Sequence, residues 1–456
     1  MQNNALHRSL GLGSLVVFGI TYMTVVTVFT TYGHVNQITD GHLPAAYIAA
    51  VITMIFTALS YSAMVRLYPV AGSAFSYTKR AFGGGLGFLT GWTMLLDYMF
   101  LPMLNFMLIG IYMNTQFPQV PIWVFTLVSL VLVWVLNILG IKMVTRVNMT
   151  IIGMSLVMIV VFIALAVKAG LSDPSAPGLL DPFLPGEGGL GPIFAGAGVL
   201  ALSFLGFDAV STLSEEAKNP RRDMPRAIVL TTLTGGVLFI IVSWAGGIAY
   251  RPDWASLNTA ELDAAGVAAM EAVGGQVLTA FFVAIFVAGC VGSGMTGQVS
   301  VSRVLFAMGR DRLLPSQLAR VWKKRGTPIV ATTVVSIVAL LGLFIPLEVV
   351  LHLVSFGALI AFSMVNLSAL KTYMTRRGEG FAGYAVSRVL RYGLVPTIGV
   401  VMTLWLWTSL ETLAFIVGGS WIALGVIVLA FLTRGFTQKT PDSDMSADTE
   451  AIQNMP

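Results

Sequence analysis

Twelve long stretches of mostly apolar residues constrain the fold of this chain more than any other feature of the sequence. A helix of about 20 apolar residues is long enough to cross the hydrocarbon core of a bilayer. Only 10% of the 456 residues are charged, whereas a soluble domain carries about 25%. The sequence therefore predicts an all-α integral membrane protein with twelve transmembrane helices. The stretches cover residues 12–33, 43–65, 85–113, 121–140, 147–167, 191–213, 227–249, 275–299, 329–345, 349–370, 389–409 and 412–433.

The Lys and Arg residues predict the orientation of these spans. If the N-terminus is cytoplasmic, 24 of the 26 Lys and Arg residues fall on the cytoplasmic side, and only Lys168 and Arg251 fall outside. Basic residues collect in the cytoplasmic loops of membrane proteins, so both termini are predicted to be cytoplasmic. The same sorting accounts for the basic charge of the chain, and we expect the lipid bilayer rather than a nucleic acid as its partner.

A Gly- and Pro-rich outer loop at residues 168–190 divides the chain after five spans. The first span of each half contains a break signal, "GITYMTV" at residues 19–25 and "SFLGFDA" at residues 203–209. Paired interruptions at corresponding places in two halves are typical of inverted-repeat transporters and indicate where the binding site lies. The polar C-terminal tail is predicted to be disordered. The predicted segments are an N-terminus at 1–11, a first repeat at 12–167, the outer loop at 168–190, a second repeat at 191–370, a cytoplasmic loop at 371–388, two further spans at 389–434 and the tail at 435–456.

Three stretches of the chain resemble signatures of the amino acid–polyamine–organocation superfamily of transporters. They are "GFDAVSTLSEEAKNPRRDMPRAI" at 206–228, "YPVAGSAFSY" at 68–77 and "SVSRVLFAMGRDRLLP" at 300–315. Three others are similar to the bacterial proton-driven putrescine importers of that superfamily: "DGHLPAAYI" at 40–48, "GWTMLLDYMFLPMLN" at 91–105 and "FGALIAFSMVNLS" at 356–368. The resemblance covers nearly the whole chain. It implies a bacterial cytoplasmic-membrane protein with a five-plus-five inverted-repeat core, two extra C-terminal helices, and a substrate site near mid-membrane where the first and sixth helices unwind.

The sequence departs from the family pattern at two positions. Amino-acid members often carry a glycine-rich break in the first span, whose amides hold the substrate carboxylate, but this chain has "TYMTV" there. A diamine has no carboxylate, so this departure favours a diamine. Some proton-coupled members carry a lysine in the fifth span, at a position that aligns with Ser155 in this chain. We therefore expect coupling that does not use a lysine.

Two carboxylates lie inside predicted spans, Asp97 in the third and Asp208 in the sixth. A carboxylate at the centre of a membrane helix costs roughly 2.5–3.5 kcal/mol on the insertion scale, and such residues are usually functional. Two carboxylates match the two charges of a diamine, because an uncompensated buried charge is very unfavourable. Burial favours the protonated carboxyl and a nearby cation favours the carboxylate. We expect Asp208 to bind an ammonium, to carry the coupling proton or to brace helices, and Asp97 to handle the proton or brace helices rather than bind directly.

Aromatic and polar side chains near the predicted breaks complete the candidate site. A cation over an aromatic ring gains about 0.5–2 kcal/mol. A glycine within a span allows unwinding, which frees carbonyls to accept from an ammonium. The candidate substrate-binding residues are Asp208, Phe204, Gly206, Tyr98, Tyr22, Thr24, Ser203, Phe207, Asn105 and Phe356. For the aromatic and hydroxyl- or amide-bearing members of this set, helix packing is the alternative role.

The sequence thus predicts a proton-coupled importer of a small organic cation, putrescine or a near relative, that works by alternating access. An amino-acid permease of the same fold is the first alternative, and an integral-membrane enzyme or sensor is the second. The single cysteine, Cys290, leaves no cysteine metal site, and neither a metal-ligand spacing nor a phosphate loop is present. We expect no cofactor. Sodium stays an alternative coupling ion, because Ser155 and the small residues Ser293 and Thr296 do not exclude a sodium site.

Overall fold

The computed structural model describes residues 8–174, 178–186, 188–322, 326–375, 389–408, 410, 412–438 and 440. Regular structure in these residues is helical, apart from two isolated β-bridges. The helices of the first half are α1 (Leu12–Met23), α2 (Tyr32–Thr39), α3 (Leu43–Leu67), α4 (Ser73–Phe82), α5 (Gly84–Gln116), α6 (Ile122–Ile138) and α7 (Ile141–Ser172). Those of the second half are α8 (Leu190–Leu200), α9 (Pro220–Ala249), α10 (Thr259–Arg310), α11 (Ile329–Ala339), α12 (Leu347–Thr375), α13 (Val395–Thr408) and α14 (Thr412–Leu432).

Many of these helices are long and apolar enough to cross a membrane, which confirms the predicted all-α membrane protein. In the described part of the chain there are nine: Leu12–Phe29, Leu43–Leu67, Gly84–Asn114, Arg146–Ser172, Leu190–Leu213, Pro220–Ala249, Ala265–Arg310, Leu353–Thr375 and Thr412–Leu432. Three shorter apolar helices lie in the other three predicted stretches: Ile122–Ile138, Ile329–Leu343 and Tyr392–Thr408.

The helix is interrupted within both predicted break segments. After α1, Thr24 adopts a left-handed conformation (φ 47°), which is unusual for a β-branched residue, and the chain continues as a 3₁₀-helix at Val25–Phe29. After α8, a 3₁₀ turn at Ala201–Phe204 leads to Gly206, whose φ of 120° favours glycine. A second 3₁₀ turn then covers Ala209–Leu213. The two interruptions expose backbone groups within the membrane-spanning region.

Much of the chain between the seventh and eighth predicted spans is helical, from Thr259 onwards. Helix α10 begins at Thr259 with a capping box, in which the Asn258 side chain accepts from the Glu261 N–H (3.1 Å) and the Glu261 carboxylate accepts from the Asn258 N–H (2.9 Å). The helix kinks at Gly275 (φ 62°), where the predicted span starts. Residues 259–274 are too polar for the sequence to predict them as part of a span.

Helix α5 lies at the centre of the bundle and carries both Asp97 and Tyr98. It packs against α4, α10, α12 and α14, while α1 packs against α9 and α10. Helix α14 is fixed to α5 by a reciprocal pair, because each indole N–H of Trp92 and Trp421 donates to the backbone carbonyl of the other residue at 2.9 Å. This packing places α5 beside the breaks after α1 and α8.

Candidate functional site

Asp208 lies at the break after α8 and points towards α5. Its side chain is 1% exposed. One carboxylate oxygen, Oδ2, accepts a hydrogen bond from the Tyr98 hydroxyl, and the other, Oδ1, accepts from the Gly206 N–H at 3.2 Å. The positive φ of Gly206 turns its N–H towards Asp208, so the local backbone and a distant helix hold the carboxylate together.

Asp97 is the second carboxylate of the site, next to Tyr98 on α5. It is also 1% exposed, and within the described residues its Oδ1 atom has no hydrogen-bond partner. Buried polar atoms are nearly always paired, so an unpaired carboxylate oxygen is a candidate for a ligand or a proton. Asp97 lies within electrostatic range of Asp208. We call Asp97 and Asp208 the carboxylate pair.

Tyr22, at the end of α1, covers the break that holds Asp208. A Cβ atom at position 206 would lie 2.6 Å from a carbon of the Tyr22 ring, so only glycine leaves room for this contact. The Tyr22 hydroxyl is buried and makes no hydrogen bond to any described residue. It therefore adds a second unpaired polar atom near the carboxylate pair.

Asn105 and Ser293 connect the end of α1 to two other helices. The Ser293 hydroxyl on α10 donates to the backbone carbonyl of Tyr22 at 2.8 Å. The Asn105 amide on α5 donates to the Ser293 hydroxyl at 3.2 Å and to the Leu101 carbonyl at 2.9 Å. The carbonyl freed by the break in α1 is thus already paired, and Asn105 supports it indirectly.

Thr24 lies apart from the carboxylate pair. Its hydroxyl donates to the Thr21 carbonyl at 2.9 Å, and its side chain lines a small cavity between α1, α7 and α10. Ser155 lines the same cavity. Thr24 therefore lies beside Ser155, the residue considered above for sodium or lysine coupling, rather than beside Asp208.

The four remaining candidates contact other parts of the bundle. Ser203 lies 3.3 Å from the Tyr47 hydroxyl, and the Phe204 ring meets Phe239 edge-on with centroids 5.2 Å apart. Phe207 packs between Tyr61 and Phe362. These three residues flank Asp208 in sequence, but their side chains pack into the walls around it.

Phe356 packs against the C-terminal helices of the bundle. Its ring contacts Trp407 on α13 and Phe415 on α14, with centroids 5.5 Å and 6.1 Å apart. The next residue, Gly357, faces α5 instead, where a Cβ atom would lie 2.8 Å from the Asp97 nitrogen. The role of Phe356 in the site stays a prediction, and the absence of a side chain at Gly357 lets α12 approach α5 closely.

Sequence reasoning missed a group of three ion pairs beyond Asp208, two of them buried. Glu216 pairs with Arg303, and both side chains are almost fully buried. Lys79 on α4 pairs with Asp311 at 2.6 Å, and Glu215 pairs with Arg310 at 3.1 Å. The pairs join α4, the segment after Asp208 and the end of α10. All six residues lie within or beside the signature stretches, but their pairing is not visible in the sequence.

Metal binding finds no support in the part of the chain that the structure describes. No group of three or more His, Cys, Asp or Glu side chains is placed there to hold a metal ion. The polar chemistry of the centre comes from the carboxylate pair, Tyr98 and Tyr22.

Interrupted helices that meet a buried carboxylate pair inside a polytopic helical bundle define a membrane transporter. A family model described as "Amino acid permease" matches residues 10–441, so the chain belongs to this family of the amino acid–polyamine–organocation superfamily. The low-affinity putrescine importer PlaP of Escherichia coli (strain K12) is 35% identical over 439 residues, which are 96% of each chain. The branched-chain amino acid permease BcaP of Lactococcus lactis is 28% identical over 446 residues, 91% of this chain and 92% of the relative. The methylthioribose transporter of Bacillus subtilis is 28% identical over 455 residues, 95% of both.

These likenesses confirm the resemblance inferred from the sequence. The family and these relatives are transporters, so the chain is a transporter rather than an enzyme. It is a multi-pass membrane protein.

Proposed function

We propose that this protein imports putrescine or a related small diamine across the bacterial cytoplasmic membrane, by proton symport with alternating access. The observation that carries the proposal is the buried carboxylate pair at the break after α8, with one oxygen of Asp97 unpaired. The putrescine importer that is 35% identical over nearly the whole chain supports the substrate class.

A diamine is the substrate best matched to the charges of this site. In the proposed bound state, an ammonium group joins the Tyr98 hydroxyl as a partner of the Asp208 carboxylate, which can accept several hydrogen bonds. The rings of Tyr98 and Tyr22 then face the cation, which gains about 0.5–2 kcal/mol for each ring that it contacts. The two carboxylates offset most of the cost of burying the substrate charge.

Symport requires that the proton and the substrate be bound at the same time. If an ammonium and a proton competed for Asp208 alone, they would cross the membrane in opposite directions. The second carboxylate removes this difficulty, because Asp97 can carry the proton while Asp208 holds an ammonium. Asp97 is therefore the proposed proton carrier, and Asp208 the proposed substrate ligand.

The proposed architecture has twelve spans, with the first ten forming a five-plus-five inverted repeat and both termini in the cytoplasm. Nine long apolar helices and three shorter ones in the described residues support the number of spans. The corresponding breaks after α1 and α8 support the repeat, and the distribution of Lys and Arg supports the orientation.

An amino-acid permease of the same fold is the second candidate, favoured by the branched-chain amino acid permease among the relatives. The position of the Tyr22 ring disfavours an amino-acid substrate. The ring lies at the end of α1 and fills the space beside Gly206. That arrangement leaves less backbone N–H surface for an α-carboxylate than a glycine-rich break would.

Uptake by purified protein in proteoliposomes tests the proposal. We expect labelled putrescine to accumulate under a proton gradient and not under a sodium gradient, and excess putrescine or cadaverine to compete more strongly than leucine. Uptake that leucine abolishes and excess putrescine leaves unchanged would establish the amino-acid permease instead. Accumulation under a sodium gradient alone would refute proton symport.

A further inference from the structure

Four hydroxyl-bearing residues form a buried cluster between the carboxylate pair and the ion pairs. They are Tyr61 on α3, Ser73 and Tyr77 on α4, and Ser211 in the 3₁₀ turn after Asp208, and each is fully buried. The hydroxyls of Ser73 and Ser211 are hydrogen-bonded at 2.9 Å. The rings of Tyr61 and Tyr77 meet nearly at right angles, with centroids 6.1 Å apart. We call these four residues the hydroxyl cluster.

The two tyrosine hydroxyls of this cluster have unused hydrogen-bonding capacity. Tyr61 lies beside Ser73, and Tyr77 lies beside Ser211. Nevertheless, neither phenol oxygen completes a hydrogen bond to any residue that the structure describes. A hydroxyl supplies one donor and two acceptor lone pairs, and buried polar groups are rarely left unpaired without a reason. Both phenols are therefore able to take part in transient hydrogen bonds.

The backbone of Ser73 is strained as well as buried. Its φ of 48° lies in the left-handed region, which non-glycine residues seldom adopt. Strained positions concentrate at functional sites, where the surrounding structure holds them in place. The Ser73 hydroxyl is hydrogen-bonded to Ser211, which lies 138 residues further along the chain.

One end of the hydroxyl cluster adjoins the segment that carries Asp208. Phe207, next to Asp208, packs on the Tyr61 ring with centroids 5.7 Å apart, and the Ser211 N–H donates to the Asp208 carbonyl at 2.9 Å. Tyr61 also lies within electrostatic range of both Asp208 and Asp97. Other ionisable groups near the pair are Tyr22 and Tyr98.

The other end of the cluster lies on the same helix as one of the ion pairs. Tyr77 lies two residues before Lys79 on α4, and the Lys79 ammonium pairs with Asp311 at 2.6 Å. In the proposed orientation this is the cytoplasmic side. The rings of Tyr77, Phe207 and Phe362 pack around Tyr61, so no passage for a diamine runs along the cluster.

We propose that the hydroxyl cluster is the route by which the coupling proton leaves the carboxylate pair for the cytoplasm, separate from the route of the substrate. This inference rests on the proposed proton symport. The carboxyl proton passes to a lone pair of the Tyr61 oxygen while Tyr61 gives its own proton to Ser73. Ser73 and Ser211 repeat the step. Because Tyr77 is buried in this structure, it gives up its proton only in the proposed inward-open state, to water that enters from the cytoplasmic side. Each O–H bond that breaks is replaced by one that forms, so every hydroxyl ends neutral.

The test separates net proton-coupled uptake from exchange. Purified Tyr61→Phe and Ser211→Ala variants are placed in proteoliposomes that contain a pH-sensitive dye. Net putrescine uptake and acidification of the lumen are measured under a proton gradient, and exchange of labelled for unlabelled putrescine is measured at equal pH. Tyr32→Phe is the matched control, because Tyr32 is another fully buried tyrosine whose hydroxyl has no partner among the described residues.

We expect net uptake and acidification to fall roughly tenfold or more in both variants, because each variant removes a positioned proton-transfer group. Exchange is expected to be unchanged, because it needs no proton release. Tyr32→Phe is expected to behave as the wild type. Normal acidification in Tyr61→Phe would overturn the inference, and so would an equal loss of net uptake and exchange, which indicates a packing role. A wild type that moves no putrescine, or no protons, would refute the proposed function itself, whatever the variants do.

Discussion

The Tyr98 hydroxyl donates a hydrogen bond to the Oδ2 atom of Asp208, so a residue of the central helix α5 holds the carboxylate at the break after α8. This contact fixes the carboxylate that an incoming ammonium is proposed to bind. The same helix carries Asp97 one residue earlier. Substrate binding, the break and the proton carrier are therefore connected through two adjacent residues of α5.

Removal of the Tyr98 hydroxyl tests this connection. Tyr98→Phe keeps the ring for the cation but removes a hydrogen bond to a carboxylate, which is worth about 1.5–3 kcal/mol. We expect putrescine uptake to fall roughly tenfold, with Tyr98→Ala lower still because the ring is lost as well. Initial rates over a range of putrescine concentrations measure the effect. Full activity in Tyr98→Phe would show that the hydroxyl has no part in transport.

The charge of Asp208 is expected to be essential for uptake. Asp208→Asn keeps the shape of the side chain, so we expect the protein to fold and insert, but to lose at least about tenfold in uptake because a buried ammonium lacks its partner. Asp253→Asn is the control, since Asp253 is exposed and caps a short turn far from the pair. An Asp208→Asn protein that transports at the wild-type rate at every pH would contradict the assigned role.

Gly206 is expected to tolerate no side chain. Alanine there would place a Cβ atom 2.6 Å from the Tyr22 ring and would also be held at a φ of 120°. Such backbone strain costs of order 1–3 kcal/mol, so Gly206→Ala should lower the melting temperature of the detergent-solubilised protein. Adding Tyr22→Ala removes the clash and should recover part of the loss. No recovery would mean that the conformation of the backbone, rather than the ring contact, requires glycine.

The Glu216–Arg303 pair is expected to stabilise the fold far more than an exposed pair does. Removing one partner of a buried pair costs about 3–5 kcal/mol, because the other charge stays buried. Arg303→Gln should therefore lower thermal stability strongly. The comparison is Arg251→Gln, which breaks an exposed pair with Asp173 (29% and 45% exposed) and should cost only about 0–1 kcal/mol. Equal losses in the two variants would contradict this ranking.

The sequence alone was enough to predict the breaks and the carboxylates. A glycine beside an aspartate within an apolar run has few structural explanations, so Gly206 and Asp208 stand out without any knowledge of the fold. The hydrophobic pattern also identifies the helices α3, α5 and α9. It fails for Thr259 to Gly274, because this helix lies outside the apolar runs and is set by its capping box.

The contacts between distant elements were beyond the sequence. In a helix that is apolar on all sides, the pattern does not show which face turns inwards, and adjacent residues differ in direction by about 100°. The sequence therefore did not show that Gly357, next to the selected Phe356, lies against the Asp97 backbone. Glu216 and Arg303 are 87 residues apart, and nothing local to either residue predicts their pairing. The hydroxyl cluster likewise forms only when α3, α4 and the break come together.

Proton movement during putrescine uptake tests the central claim most directly. Proteoliposomes with a pH-sensitive dye in the lumen receive putrescine from outside, first with the wild type and then with Asp97→Asn. If the carboxylate pair carries an ammonium and a proton together, the wild type acidifies the lumen as putrescine enters, and Asp97→Asn admits putrescine down its gradient without acidification. Alkalinisation by the wild type, or unchanged acidification by Asp97→Asn, would contradict the account.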